Sequence, residues 1–140
     1  MKTIFPILLI LFVFPAFSQN ITVEITGIKT EKGAIQLSVF RDNKTVVEET
    51  PFRIYNFNKE KMVDGKLTVT ISDLEPDTYG IALIDDKNGN GKMDYRLLMP
   101  IEGFGFSNYL FNGSRRPQFE SFAFPFSGND TTISMVVQYF

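Results

Sequence analysis

Five stretches of this chain alternate apolar and polar residues with a period of two, and no stretch sustains a helical period with caps at both ends. In ITVEITGI, Ile21, Val23 and Ile25 fall on one side while Thr22, Glu24 and Thr26 fall on the other. AIQLSVF repeats the pattern through Ile35, Leu37 and Val39, and KLTVTISDL through Leu67, Val69 and Ile71. TYGIALID supplies Tyr79, Ile81 and Leu83, and TISMVVQY supplies Ile133, Met135, Val137 and Tyr139. Successive side chains of a strand point to opposite faces, so each run presents one apolar face to a shared core. The runs are rich in β-branched residues and are bounded by turn formers such as Lys32-Gly33, Asp64-Gly65 and Gly128-Asn129-Asp130. About seven short strands of this kind predict an all-β fold, an antiparallel β-sandwich, with a small β-barrel as the alternative. A short helix is expected only near Lys44 to Glu49.

The first residues carry one lysine, an apolar run from Ile4 to Phe17 and small residues at Ala16 and Ser18. This is the pattern of a secretory signal peptide. A membrane span needs roughly 20 apolar residues, and this shorter run is broken by Pro6 and Pro15. Residues 1–18 are therefore expected to be a signal peptide cleaved near Ser18 or Gln19, leaving residues 19–140 as one exported domain, periplasmic or secreted. Removing the leader takes away Lys2 and no acid, which moves the net charge from −2 to −3. Such a balance offers no basic stripe for nucleic acid.

Histidine and cysteine are both absent. Disulfides, thiolate metal sites, Ser-His-Asp and Cys-His catalysis and zinc-histidine chemistry are thereby excluded. Ser107, Ser114 and Ser121 have no histidine to activate them, and no Gly-rich turn follows a strand and opens a helix. No enzymatic activity is expected. A metal site in this chain has to be built from oxygen, which suits hard cations such as calcium.

DDKNGNGKMD, Asp85 to Asp94, is where such a site falls. Aligned to an EF-hand loop, Asp86, Asn88 and Asn90 take the first, third and fifth ligand positions and Gly91 the sixth, where the backbone turns sharply. Lys92 offers its carbonyl at the seventh and Asp94 stands at the ninth. The twelfth position is Leu97, where an EF-hand supplies a bidentate glutamate, so the shell has to be completed from elsewhere, with Glu102 the best placed donor. The competing reading is a plain turn, because Asn88-Gly89 and Asn90-Gly91 are both turn dipeptides. Against it stands the gathering of Asp85, Asp86 and Asp94, which repel one another unless neutralised.

The chain from Tyr95 onward holds eleven of the sixteen aromatic residues beyond the leader. Phe122, Phe124 and Phe126 alternate as a strand face would, whereas Phe104, Phe106, Tyr109 and Phe111 fall in what reads as a long loop broken by Gly103, Gly105 and Asn108. These rings either pack as a satellite core or form a platform which, with Arg116, holds a glycan, a peptide or an envelope protein. Phenylalanine dominates and tryptophan is missing, and that composition favours packing.

Two resemblances follow from these motifs. The phrase Leu74-Glu75-Pro76-Asp77-Thr78-Tyr79 between two strands resembles a hairpin of transthyretin-like and Ig-like β-sandwiches, which implies a fold and no activity. DDKNGNGKMD, then MPIEGFGFSN and RRPQFESFAF, resemble the exported bacterial family known as domain of unknown function 2141. Asp86, Asn88, Asn90, Gly91 and Asp94 match its first motif; Pro100, Glu102, Gly103, Gly105, Phe106, Ser107 and Asn108 its second; Pro117 and Phe119 its third. The usual histidine of that pattern is Asp85 here, its glycine two before the proline is Leu98, and its closing alanine falls at Phe122 or Ala123. The resemblance implies a β-sandwich, export, and a pairing of Glu102 with the Asp-Asn loop.

Overall fold

A computed structural model describes residues 10–14, 19–113 and 115–140 of the chain. Of the expected leader, residues 1–18, only positions 10–14 lie among the described residues. No helix among the described residues is long and apolar enough to cross a membrane. The elements run β1 (Ile21–Thr26), β2 (Ala34–Phe40), α1 (Asn43–Glu48), β3 (Arg53–Asn58), β4 (Leu67–Ile71), β5 (Asp77–Asp86), β6 (Tyr95–Arg96), β7 (Met99–Pro100), β8 (Gly103–Phe106), α2 (Phe119–Phe122), β9 (Ala123–Phe126) and β10 (Thr131–Val136).

Two sheets face each other, as a sandwich requires, and neither closes into a barrel. The first has the order β10-β1-β4, and its apolar positions Ile21, Val23, Ile25, Leu67, Val69, Ile71, Ile133 and Met135 all point into one buried cluster. The second has the order β3-β2-β5-β8, with β9 also paired to β5, and sends Ile35, Leu37, Val39, Tyr79, Ile81 and Leu83 into the same cluster. β5 is long enough to serve two neighbours on one side. Its first half pairs with β9 (Asp77↔Phe126) and its second half with β8 (Asp85↔Gly103). The Leu74-to-Tyr79 turn is pinned by the Tyr79 hydroxyl, which donates to the Glu75 carbonyl at 2.6 Å.

Four expectations need adjustment. β10 pairs with β1 in parallel, Ile21 opposite Thr131, so the otherwise antiparallel sandwich contains one parallel ladder. β3 was not marked by alternation, because as an edge strand it leaves Tyr55 and Phe57 only half-buried between Arg53, Asn56 and Asn58. Gly103 and Gly105 do not break the chain; they lie inside strand β8. A Cβ at Gly105 would stand 2.7 Å from the Val136 carbonyl oxygen, so glycine is what lets the end of β10 cross close over β8. Phe122 is the last residue of α2, not part of a strand face, and Phe124 and Phe126 alone carry the β9 alternation into the core.

The expected short helix is present as α1. Asp42 caps its start by accepting from the Thr45 N–H at 2.8 Å, and Glu49 ends it in the left-handed conformation. α1 and α2 lie on the outer face of the second sheet, where Phe40, Val46, Phe119 and Phe122 form a second apolar cluster. Phe106 and Tyr109 pack against it, so part of the aromatic segment is the satellite core its composition suggested.

Candidate metal centre

β5 ends on two adjacent aspartates, and the pleat sends them to opposite faces. Asp85 continues the inward series of Ile81 and Leu83 and is 1% exposed. One of its oxygens forms a buried ion pair with the Lys59 ammonium, and the other accepts from the Tyr139 hydroxyl at 2.5 Å. Lys59 spends its two remaining donors on the carbonyls of Thr30 (3.0 Å) and Lys32 (2.7 Å). Burial, followed by the bond to Asp85, pushes the Tyr139 phenol well above its ordinary range. Asp85 is thus neutralised inside the sandwich and adds no charge to the loop. Nothing local in the sequence marks Lys59 as its partner.

Asp86 faces the other way, into the loop. Its Oδ1 accepts from the Asn90 N–H at 3.2 Å and its Oδ2 from the Gly91 N–H at 2.8 Å, drawing the chain into a tight curl. Gly89 and Gly91 take positive φ of 70° and 73°, as such a curl demands. The Asn88 and Asn90 amides both donate to the Asp94 carboxylate, at 2.7 to 2.9 Å. Asn88 Oδ1 accepts from the Asn90 N–H and Asn90 Oδ1 from the Lys92 N–H. Gln36 on β2 donates to the Gly91 carbonyl at 3.2 Å and ties the loop to the sheet. Lys92 joins through its N–H; its carbonyl takes part in no hydrogen bond among the described residues.

Glu102 lies between β7 and β8, and the Ile101 N–H bonds the Asp94 carbonyl at 2.9 Å, so the chain beyond Pro100 does fold back onto the loop. The Glu102 side chain is 5% exposed, and both carboxylate oxygens are buried without a hydrogen-bond partner. Burial pushes its carboxyl above the ordinary value of 4.5, and the charges of Asp94 and Asp86 push the same way. The N–H groups of Asp94 and Asn88 lie close enough to draw it partly back, yet neither completes a hydrogen bond. A buried, unpaired carboxylate is expensive, and protonation or a bound cation would relieve the cost.

The donor set fits a hard ion in kind: carboxylates of Asp86, Asp94 and Glu102 with amide oxygens of Asn88 and Asn90. Among the described residues no three acidic side chains stand close enough to enclose an ion by themselves. A complete shell therefore depends on the asparagines presenting oxygen where they now present nitrogen to Asp94, a half-turn of each amide.

The other face of this loop borders a groove of about 940 Å³ over the outer surface of the second sheet. Ser38, Ala82, Ile84, Phe104 and Phe106 line it along the strands. Gly91 to Pro100 contributes at the Asp86 end of β5, and Val46, Arg116 and Phe122 at the end where Phe40 pairs with Gly80. Phe104 is stacked on Phe140 and edge-on to Phe111, each at 5.6 Å between centroids. The half-buried aromatic segment thus divides between satellite core and groove lining.

Residues 23–134 match DUF2141, described as an uncharacterized protein conserved in bacteria. The chain belongs to this family. No curated protein and no solved structure matches it. DUF2141 is uncharacterized, so membership assigns no function; two positions noted above as differing from the motifs that the sequence resembles have a structural setting. Asp85, in place of the histidine, forms the buried pair with Lys59. Leu98, in place of the glycine, adopts φ of 66° beside Leu97 at φ 50°, in the turn between β6 and β7. A left-handed backbone of this kind suits glycine and strains leucine.

Proposed function

We propose that this protein is an exported β-sandwich module whose Asp86-to-Asp94 loop, closed by Glu102, binds calcium as a structural clip. The observation that carries the reading is the pair of buried, unpartnered Glu102 oxygens beside Asp86 and Asp94. Asp86, Asn88, Asn90, Asp94 and Glu102 would supply side-chain oxygens, with the Lys92 carbonyl as a further donor. The ion supplies positive charge to carboxylates that otherwise repel one another. Export is supported by the leader pattern of residues 1–18. With neither histidine nor cysteine in the chain, we read a binding and structural role in place of catalysis.

Thermal melts in calcium and in chelator test this. With two or three carboxylates the affinity should resemble that of extracellular calcium modules, with Kd of roughly 10⁻⁴ to 10⁻³ M. Millimolar calcium should raise the midpoint of the wild type and leave Asp86→Ala unmoved. An unmoved wild-type midpoint sinks the reading.

The second reading is a binding module for a glycan, peptide or envelope protein, using the Gly103-to-Phe111 segment and Arg116. It is supported by the groove that Phe104, Phe106, Phe111 and Arg116 all line, whose mostly apolar lining favours an apolar partner over a glycan or an extended peptide.

A further inference from the structure

We propose that the groove on the outer face of the second sheet is a site for a long-chain fatty carboxylate. Its head would lie at Lys92 and its chain would run over Ile84 and Ala82 toward Phe122. This goes beyond the calcium reading and does not rest on it. The volume of about 940 Å³ falls at the upper end of the range for small-molecule sites, which are mostly apolar with few polar groups. The lining here has that character. Ser38 and Gln36 are the polar side chains of the β2 stretch, and the Gln36 amide is already spent on the Gly91 carbonyl. A glycan would need many more hydrogen-bonding groups. A peptide strand would need a free sheet edge, whereas this is the face of strands whose main chains are already paired.

The charges give the ligand a direction. Lys92, Arg116 and Glu49 are the charged residues lining the groove. Arg116 is held by Glu49 and by the Val46 carbonyl at 3.2 Å. Lys92, at the opposite end, forms no ion pair among the described residues. Asp86 and Asp94 beside it turn their oxygens to amides of the loop. An ammonium without an ion-pair partner beside an apolar trough is complementary to an anionic head with an apolar tail.

The hairpin of β6 and β7 supplies a second, independent observation. Leu97 and Leu98 are 91% and 94% exposed and occupy a strained turn, and Leu98, Met99 and Tyr95 line the groove. Strain and exposed apolar surface at one tip are costs that covering a bound chain would offset.

Displacement of fluorescent cis-parinaric acid from the purified protein tests the proposal, with palmitate and hexadecanol as competitors, in calcium and again in chelator. Saturable one-to-one displacement by palmitate in either buffer supports it. Lys92→Gln should weaken palmitate by about three- to fivefold, the effect of one exposed charge, and leave hexadecanol unchanged. Leu98→Gly, which relieves the left-handed turn and removes no buried side chain, should weaken both. Absence of saturable displacement overturns the proposal, as does equal binding by the wild type and both variants. Concentration-dependent self-association that buries the hairpin and abolishes displacement overturns it in favour of a second copy as the occupant.

Discussion

Replacing Glu102 by glutamine should reverse the order of two melting temperatures, which a merely structural residue would not do. In chelator the wild type holds a buried carboxylate with no hydrogen-bond partner, and its carboxyl is raised above 4.5 by burial and by Asp94 and Asp86. A carboxyl raised on folding binds more protons folded than unfolded. Its contribution is therefore most favourable below the unfolded value near 4.5 and is lost as pH rises through the folded value. As pH rises above the unfolded value, the metal-free wild type increasingly carries the penalty of the buried charge. An unsatisfied buried polar group costs about 1–3 kcal/mol, and more when charged. Glutamine removes the charge but brings an amide that also needs partners, so the gain in chelator should be about 1 kcal/mol. For a domain of this size that is about 4 °C at the usual unfolding entropy per residue.

Calcium should reverse the sign. If the loop binds calcium as proposed, with Kd of roughly 10⁻⁴ to 10⁻³ M, about 10 mM calcium should stabilise the native state by about 1.4–2.7 kcal/mol, or about 6–11 °C. Glu102→Gln forfeits most of that shift. Scanning fluorimetry or circular dichroism at neutral pH should therefore find the variant above the wild type in chelator and below it in calcium. Between pH 4 and 7 in chelator, the wild type should lose stability with rising pH relative to the variant. A variant that melts lower by the same amount in both buffers would refute this account of Glu102.

Three further outcomes are expected. Asp85→Ala strands the buried Lys59 ammonium and should cost about 3–5 kcal/mol in urea unfolding, whereas Asp85→Leu combined with Lys59→Met should recover most of the loss. Gly105→Ala sets a Cβ against the Val136 carbonyl oxygen and should cost about 1–3 kcal/mol by the same measurement, because backbone faces it there. Tyr79→Phe removes the donor to the Glu75 carbonyl and should lower stability by about 1 kcal/mol while leaving the calcium-induced shift intact.

β1, β2, β4, β5 and β10 were legible in the sequence because each alternates against one common core. β3 and β8 were not. The first is an edge strand with only two half-buried rings, and the second carries glycines required by neighbours distant in sequence. The return of Glu102 to the loop was legible, since Asp94 and Glu102 are close in the chain and need only the short β6–β7 hairpin between them. The burial of Asp85 against Lys59 was not, because a lysine that directly follows an exposed edge strand gives no sign of being enclosed. The groove escaped for a related reason. Ala82 and Ile84 take the positions that an alternating strand reserves for solvent, so a second apolar face looks like imperfect patterning.

The opposed directions of Asp85 and Asp86 bear on any attempt to move this loop into another protein. A graft of residues 86–102 alone would carry the ligands but lose the anchor, since Lys59 and Tyr139, which hold the preceding residue, come from distant parts of the chain. A splice placed one residue out of frame would do worse, turning Asp86 toward the interior with no cation to meet it and aiming Asp85 at the amides of the curl. The portable unit is the end of β5 together with the buried pair behind it.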